Sequence, residues 1–243
     1  MRVVAIIQAR MGSSRLPGKV LQDIGGSTML ARVVRRTQRA ASLDEVIVAT
    51  TVETDDEVIV AECKRLSVPV FRGDKEDVLD RYYQAAQAYH AAIIVRITSD
   101  CPLIEPEVVD QVVRACLDAQ ADYASNTLQR TYPRGLDTEV MTLSALELAW
   151  RQATEPYQRI HVTPYLYQHP DQFKLLSVTD DQDHSRYRWT VDTPDDLAFV
   201  REVYRRLDND DAIRWTQVLD LLEREPALLR INTGVPQKEL LQG

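Results

Sequence analysis

Four times in roughly its first 120 residues the chain alternates a short apolar run with a stripe of apolar residues at helical spacing, and this rhythm narrows the fold most. The runs are residues 3–7, 45–50, 68–71 and 92–98. The stripes are carried by Met29, Leu30, Val33 and Val34, then Ile59, Cys63 and Leu66, then Val78, Leu79 and Tyr82, then Val109, Val112 and Val113. Runs that are apolar throughout suit strands buried on both faces, and such strands joined by helices form a parallel sheet with right-handed crossovers. The second half is less regular, with strands expected at 139–142, 173–178 and 187–191 and helices near 144–153, 159–168, 194–207 and 215–224. Thr193, Pro194, Asp195 and Asp196 form a strong helix start, combining a capping hydroxyl, an early proline and acids at the positive end. No repeat, low-complexity tract or linker divides the 243 residues, so one domain is expected.

Charge is unevenly placed. The net charge of −8 argues against a general nucleic-acid binder. Residues 1–40 nevertheless hold eight basic residues against the single acid Asp23, and four of the chain's eight glycines. A cationic, glycine-rich opening on an acidic protein points to a pocket for a polyanion. Cys63, Cys101 and Cys116 have no metal-ligand spacing and read as reduced thiols. The opening apolar run ends at Ile7, too short for a signal core or a membrane span, so a cytoplasmic protein without membrane attachment is expected.

The loop at 8–19, QARMGSSRLPGK, follows the first strand. It is not a dinucleotide loop, because nothing between Gly12 and Gly18 is glycine. It is not a P-loop either, since five residues separate those glycines and Val20, not a hydroxyl, follows Lys19. What remains is three fixed positives (Arg10, Arg15, Lys19), two hydroxyls (Ser13, Ser14) and glycines that let backbone amides approach a ligand. Arginine grips phosphate oxygens in pairs and lysine acts as a movable point charge; three cations suit a triphosphate better than one phosphate. Two acids complete the pattern. Asp100 follows the run 92–98, and Asp192 ends the expected strand 187–191. Strand ends in an open α/β sheet face the ligand crevice, so both can converge there, and Mg²⁺ takes one or two carboxylates.

The chain resembles a known family in IIQARMGSSRLPGKVL, FRGDKEDVLDRYYQA, RITSDCPLIEP, YPRGLDTEV, HVTPYLYQHP and WTVDTPDDL, in order over most of residues 1–200. These are similar to the CMP-sugar-acid synthetases, typified by the 3-deoxy-manno-octulosonate cytidylyltransferases, and closest in pattern to the spore coat polysaccharide biosynthesis protein F branch. The resemblance implies a three-layer, Rossmann-like nucleotide-diphospho-sugar transferase fold with a mostly parallel mixed sheet. Residues 1–120 would form a nucleotide-binding half, and 121–243 an acceptor-binding and dimerisation half of a homodimer. It implies transfer from CTP to a small anionic sugar-like acceptor with loss of pyrophosphate. Lys19, Arg10 and Asp100 would be catalytic, and Gln8, Ala9, Arg10, Gly12, Ser13, Arg15, Lys19 and Thr98 would bind nucleotide. Asp100 and Asp192 would hold Mg²⁺. Glu139, His161, Arg134 and Arg188 are the acceptor readers expected, with Tyr132, Asp137, Arg159 and Arg186 as weaker candidates. The chain departs from the octulosonate enzymes at Ser99, where they carry glycine, and at Thr98, where a base-reading glutamine can sit. Rival readings are a sugar-1-phosphate nucleotidyltransferase, a glycosyltransferase (although no D-x-D motif follows a strand) and a non-catalytic nucleotide-binding module.

Overall fold

A computed structural model describes residues 1–237. In chain order the elements are β1 (Val3–Gln8), the hairpin β2 (Asp23–Ile24) and β3 (Ser27–Thr28), α1 (Met29–Thr37), β4 (Glu45–Thr51), α2 (Glu57–Arg65), β5 (Val70–Gly73), α3 (Val78–Ala88) and β6 (Ile93–Thr98). There follow α4 (Pro106–Ala119), β7 (Tyr123–Ser125), β8 (Glu139–Thr142), α5 (Leu143–Gln152), α6 (Pro156–His161), α7 (Pro164–Gln168), β9 (Leu175–Ser177), α8 (Pro194–Arg206) and α9 (Trp215–Arg224). Seven strands form one sheet in the order β5-β4-β1-β6-β8-β7-β9. The first four in that order are parallel, while β8 runs antiparallel to both β6 and β7. The result is the expected three-layer α/β fold with a mostly parallel mixed sheet.

Strand alternation divides the core in two. Val3, Ala5 and Ile7 of β1 pack on one face with α1, α4, α8 and α9, while Val4 and Ile6 pack on the other with α3, α5 and α7. After β5 the chain crosses to the other side of β1 to make β6, so the direction of winding reverses between these two strands. Their carboxyl ends, at Gln8 and Thr98, border the crevice where α/β sheets bind ligands.

Three details differ from the sequence expectations. Residues 187–191 are no strand of the sheet; Arg188 forms an isolated parallel bridge with Arg134 outside the strands, and Val191 N bonds Asp100 O just past β6. The helix expected at 159–168 is two helices, broken at Val162 (φ 74°, ψ −56°), because Pro164 cannot supply the amide a continuous helix needs. The short strands β2, β3 and β7 carry too few residues to show a period. Among the described residues no helix is long and apolar enough to cross a membrane.

Candidate active site

The loop after β1 holds its shape through its own backbone. Met11 O accepts from Ser13 N at 2.9 Å and Gly18 N at 3.0 Å. Met11 N donates at 2.7 Å to Asp56, a buried carboxylate that also serves Thr50 and Thr51 at the end of β4. Gly18 closes the loop at φ 68°, a left-handed conformation that costs a side-chain-bearing residue more than glycine, and delivers the chain into a 3-10 turn at Lys19–Leu21. That turn aims Lys19 inward.

Lys19 Nζ donates to Asp100 Oδ2 at 2.8 Å, Asp192 Oδ1 at 2.9 Å and Val191 O at 2.9 Å. The loop and the two acids, far apart in sequence, therefore meet. Asp192 arrives there by a route other than the expected strand. Val191 N and the Thr190 hydroxyl both bond Asp100 O, at 2.8 and 3.2 Å, which ties the two acid-bearing segments together. Asp192 is further held by Arg15 at 2.9 Å and Arg188 at 2.7 Å. It does not cap α8; Thr193 does, in a capping box with Asp196. Burial pushes the Lys19 ammonium toward neutrality, but Asp100 and Asp192 outweigh it and raise its pKa. Burial likewise favours the neutral form of Asp100, yet the Lys19 charge and hydrogen bond, with help from Thr98 and Cys101, bring its pKa down to about 2.

Around this cluster opens a cleft of about 500 Å³. Its lining includes Gln8, Ala9, Arg10, Gly12, Ser13, Arg15, Lys19 and Thr98, together with Asp100, Asp192 and His161. Ser14, Val20, Val78, Arg81, Ser99 and Ile160 also line it. The two carboxylates fit a hard divalent cation: both are oxygen donors, and the space between them already accepts an ammonium. Among the described residues no cluster of three or more acidic, histidine or cysteine side chains forms, so phosphate oxygens and water would complete the shell of such an ion.

The second half divides into residues near the cleft and residues that brace the fold. Two of the expected acceptor readers lie outside the cleft lining and have other partners. Glu139 does not line the cleft: its Oε1 pairs with the partly buried Arg96 and its Oε2 accepts from the buried Tyr123 hydroxyl at 2.6 Å. Arg188 has its donors committed to Asp196, Asp192 and Gln237, so it buttresses Asp192 and does not offer itself to a ligand. Arg159 is likewise tied to Asp77 at 2.6 Å, Tyr132 to Gln111 at 2.9 Å, and Asp137 to Arg130 at 2.6 and 2.8 Å. Arg186 lies over the Tyr187 ring. Arg134 is half-buried and forms no ion pair among the described residues; its backbone pairs with the segment that carries Asp192.

The positive opening of the chain also splits. Arg10, Arg15 and Lys19 face the cleft, but Arg32 and Arg36 are buried and donate to carbonyls at Ile24, Ile104 and Asp211. Arg2 pairs with Glu45, Arg35 with Asp211, and Arg39 donates to Asp211 O. Composition counts charges without regard to depth, so it overstated the anion pocket. Sequence reasoning missed Arg81, Asp56 and Asp196. Asp196 is fully buried and accepts from Arg188, the Asp192 amide and Thr193, and only its place in a capping pattern signalled it.

The family model for cytidylyltransferases matches residues 4–224. The spore coat polysaccharide biosynthesis protein SpsF of Bacillus subtilis is 32% identical over 231 residues, 92% of this chain and 95% of that protein. A 3-deoxy-manno-octulosonate cytidylyltransferase of Pelobacter propionicus is 42% identical over 125 residues, 49% of this chain and 46% of that protein. A solved cytidylyltransferase structure from Leptospira borgpetersenii superposes with a TM-score of 0.91 at 33% identity, covering 98% of this chain and all of that one. The family match runs from β1 to α9 and spans every segment that meets at Lys19: the chain belongs to the cytidylyltransferase family.

Proposed function

We propose that the chain transfers a cytidylyl group from CTP to a hydroxyl of a small anionic, sugar-acid-like acceptor, with Mg²⁺, for surface polysaccharide synthesis. The observation that carries this reading is the sharing of Lys19 by Asp100 and Asp192 at 2.8 and 2.9 Å, beside a loop that adds Arg10 and Arg15 to the same cleft. Such a site holds a polyanion and a divalent cation together. The names of the relatives, one a spore coat polysaccharide protein and one an octulosonate cytidylyltransferase, support the choice of nucleotide and acceptor class.

In this reading Asp100 and Asp192 hold Mg²⁺, which when bound neutralises phosphate charge and acts as a Lewis acid. Arg10, Arg15 and the amides near Gly12 grip the β- and γ-phosphates. Lys19, held between the two carboxylates that would bind the ion, would turn its ammonium to the α-phosphate. The acceptor hydroxyl forms a bond to the α-phosphorus and gives up its proton to solvent water, while the α–β bridging bond breaks and its electron pair leaves with pyrophosphate. Positioning and charge neutralisation supply the rate, with no covalent enzyme intermediate. His161 and Arg134 orient the acceptor. A homodimer is part of the same reading.

The test crosses CTP, UTP, ATP and GTP with octulosonate, nonulosonate, phosphonate and polyol phosphate acceptors, scoring pyrophosphate with and without Mg²⁺. Pyrophosphate from CTP with one acceptor, abolished by chelation, is expected. CTP binding with no pyrophosphate from any acceptor would make the protein a binding module and overturn the reading.

A further inference from the structure

The loop after β1 and the turn after β4 leave the sheet side by side, because these strands are parallel neighbours with Gln8 beside Ala49. Ala9 N continues the pairing, donating to Ala49 O at 3.1 Å. Past that point Asp56 joins the two segments. It lies on the 3-10 turn Thr54–Asp56 that leads into α2, and it is 3% exposed. Its Oδ1 accepts from Met11 N at 2.7 Å, across 45 residues of sequence. Its Oδ2 accepts from Thr50 Oγ1 at 3.1 Å, from Thr51 N at 3.2 Å and from the Thr51 hydroxyl.

All of these donors are neutral, and Asp56 forms no ion pair among the described residues. A buried carboxylate without a cation is costly unless hydrogen bonds replace its water. The donors from both segments do so here, each bond strengthened by the charge it meets. Releasing Met11 would leave a buried anion short of a donor, so the contact resists breaking. A carboxylate that merely closed its own turn would need only Thr50 and Thr51.

Met11 is also where the loop is organised. Its amide is fixed by Asp56, and its carbonyl accepts from Ser13 N and Gly18 N. The peptide groups on either side of Met11 therefore set the path from Arg10 through Gly12 to the turn that carries Lys19. Arg10 is exposed and forms no ion pair among the described residues. Its backbone is held while its guanidinium stays available to a ligand.

We propose that Asp56 is a positioning residue of the nucleotide site. Through the Met11 amide it sets the phosphate loop in its gripping shape before a nucleotide arrives, so binding does not have to supply the ordering of residues 10–18. Asp56 does not line the cleft and acts through the loop alone. The assignment rests on the CTP reading above.

The test joins calorimetric binding of CTP and inorganic tripolyphosphate, with Mg²⁺ and no acceptor, to hydrogen exchange at the Met11 amide. It compares the wild type with Asp56→Ala, Asp56→Asn and Thr50→Val, each below its melting point. In the wild type the Met11 amide should be protected without nucleotide. Asp56→Ala should lose that protection and bind both ligands about ten- to a hundredfold more weakly, by analogy with groups that orient metal ligands. In Asp56→Asn the new NH2 must face either Met11 N or Thr51 N, so affinity should fall only where Met11 protection falls with it. Thr50→Val removes a bond to the same carboxylate but leaves the loop's own; it should melt lower with protection and affinity intact. Four results would each overturn the proposal: an unprotected Met11 amide in the wild type, wild-type affinity in a folded Asp56→Ala, affinity lost for CTP but not for tripolyphosphate, or an equal loss in Thr50→Val. A wild type that binds neither ligand would sink the CTP reading itself, and the proposal with it.

Discussion

Replacing Lys19 by methionine keeps most of the side-chain volume and removes the ammonium that Asp100 and Asp192 share. Lys19, Asp100 and Asp192 are 12%, 24% and 17% exposed in their side chains, so the cluster is only partly screened by water. At these separations each contact is worth roughly 6 kcal/mol of gross Coulomb energy at an effective dielectric constant of about 20. Truncating one member of a buried pair costs about 3–5 kcal/mol, and partial exposure brings this to roughly 2–3. Asp192 keeps Arg15 and Arg188, whereas Asp100 keeps no other cation within ion-pair distance among the described residues. A domain of this size loses about 2–4 °C of Tm per kcal/mol, so Lys19→Met should melt about 4–12 °C below the wild type at neutral pH and low salt. Millimolar Mg²⁺ without nucleotide should recover several degrees in the variant and much less in the wild type, where the ammonium competes for the same carboxylates. Ten times the dissociation constant is worth about 1.4 kcal/mol, or about 3–6 °C. Turnover should fall by about 10²–10³, the usual loss for one well-placed charge donor. Scanning calorimetry with and without Mg²⁺ reads the stability terms. A variant that melts within about 1 °C of the wild type and responds equally to the metal would refute the shared-cation argument.

The Asp100 carboxyl, with its pKa near 2 against an ordinary 3.8, binds its proton later in the folded state than in the unfolded chain. Its contribution to stability is therefore complete above about pH 4 and is lost as pH falls toward 2, and acid melting curves of Asp100→Asn should lack this component. Gly135 sits at φ 112°, and a Cβ there would lie 2.7 Å from Thr190 N and Trp189 C, against the segment that carries Asp192. Gly135→Ala should cost about 2–4 kcal/mol in urea unfolding and weaken Mg²⁺-dependent turnover with it. Glu139→Gln should strip the partly buried Arg96 of its counter-charge and cost about 2–4 kcal/mol, with CTP affinity nearly unchanged; a specific loss of acceptor affinity in a stable variant would restore Glu139 as a reader.

The local sequence determined the long elements and the loop. Apolar runs such as residues 3–7 have one stable use, as strands covered on both faces, and the hydroxyl, proline and acids at 193–196 fix a helix start by their own hydrogen bonds. Spacing within 8–19 was enough to exclude two phosphate loops and to single out Arg10, Arg15 and Lys19. Tertiary structure decided what each charge faces. Arg32 and Arg36 look like Arg10 in a string of letters but end at the turn between α8 and α9, serving its carbonyls and the Asp211 carboxylate. Glu139 lies in a matching motif, yet its register opposite Arg96 gives it a partner inside the sheet. Asp192 reaches Lys19 through two hydrogen bonds to Asp100 O and the close approach of Gly135, none of which has a local period. Periodicity reports burial against a neighbouring layer, and it carries no information about which distant side chain waits there.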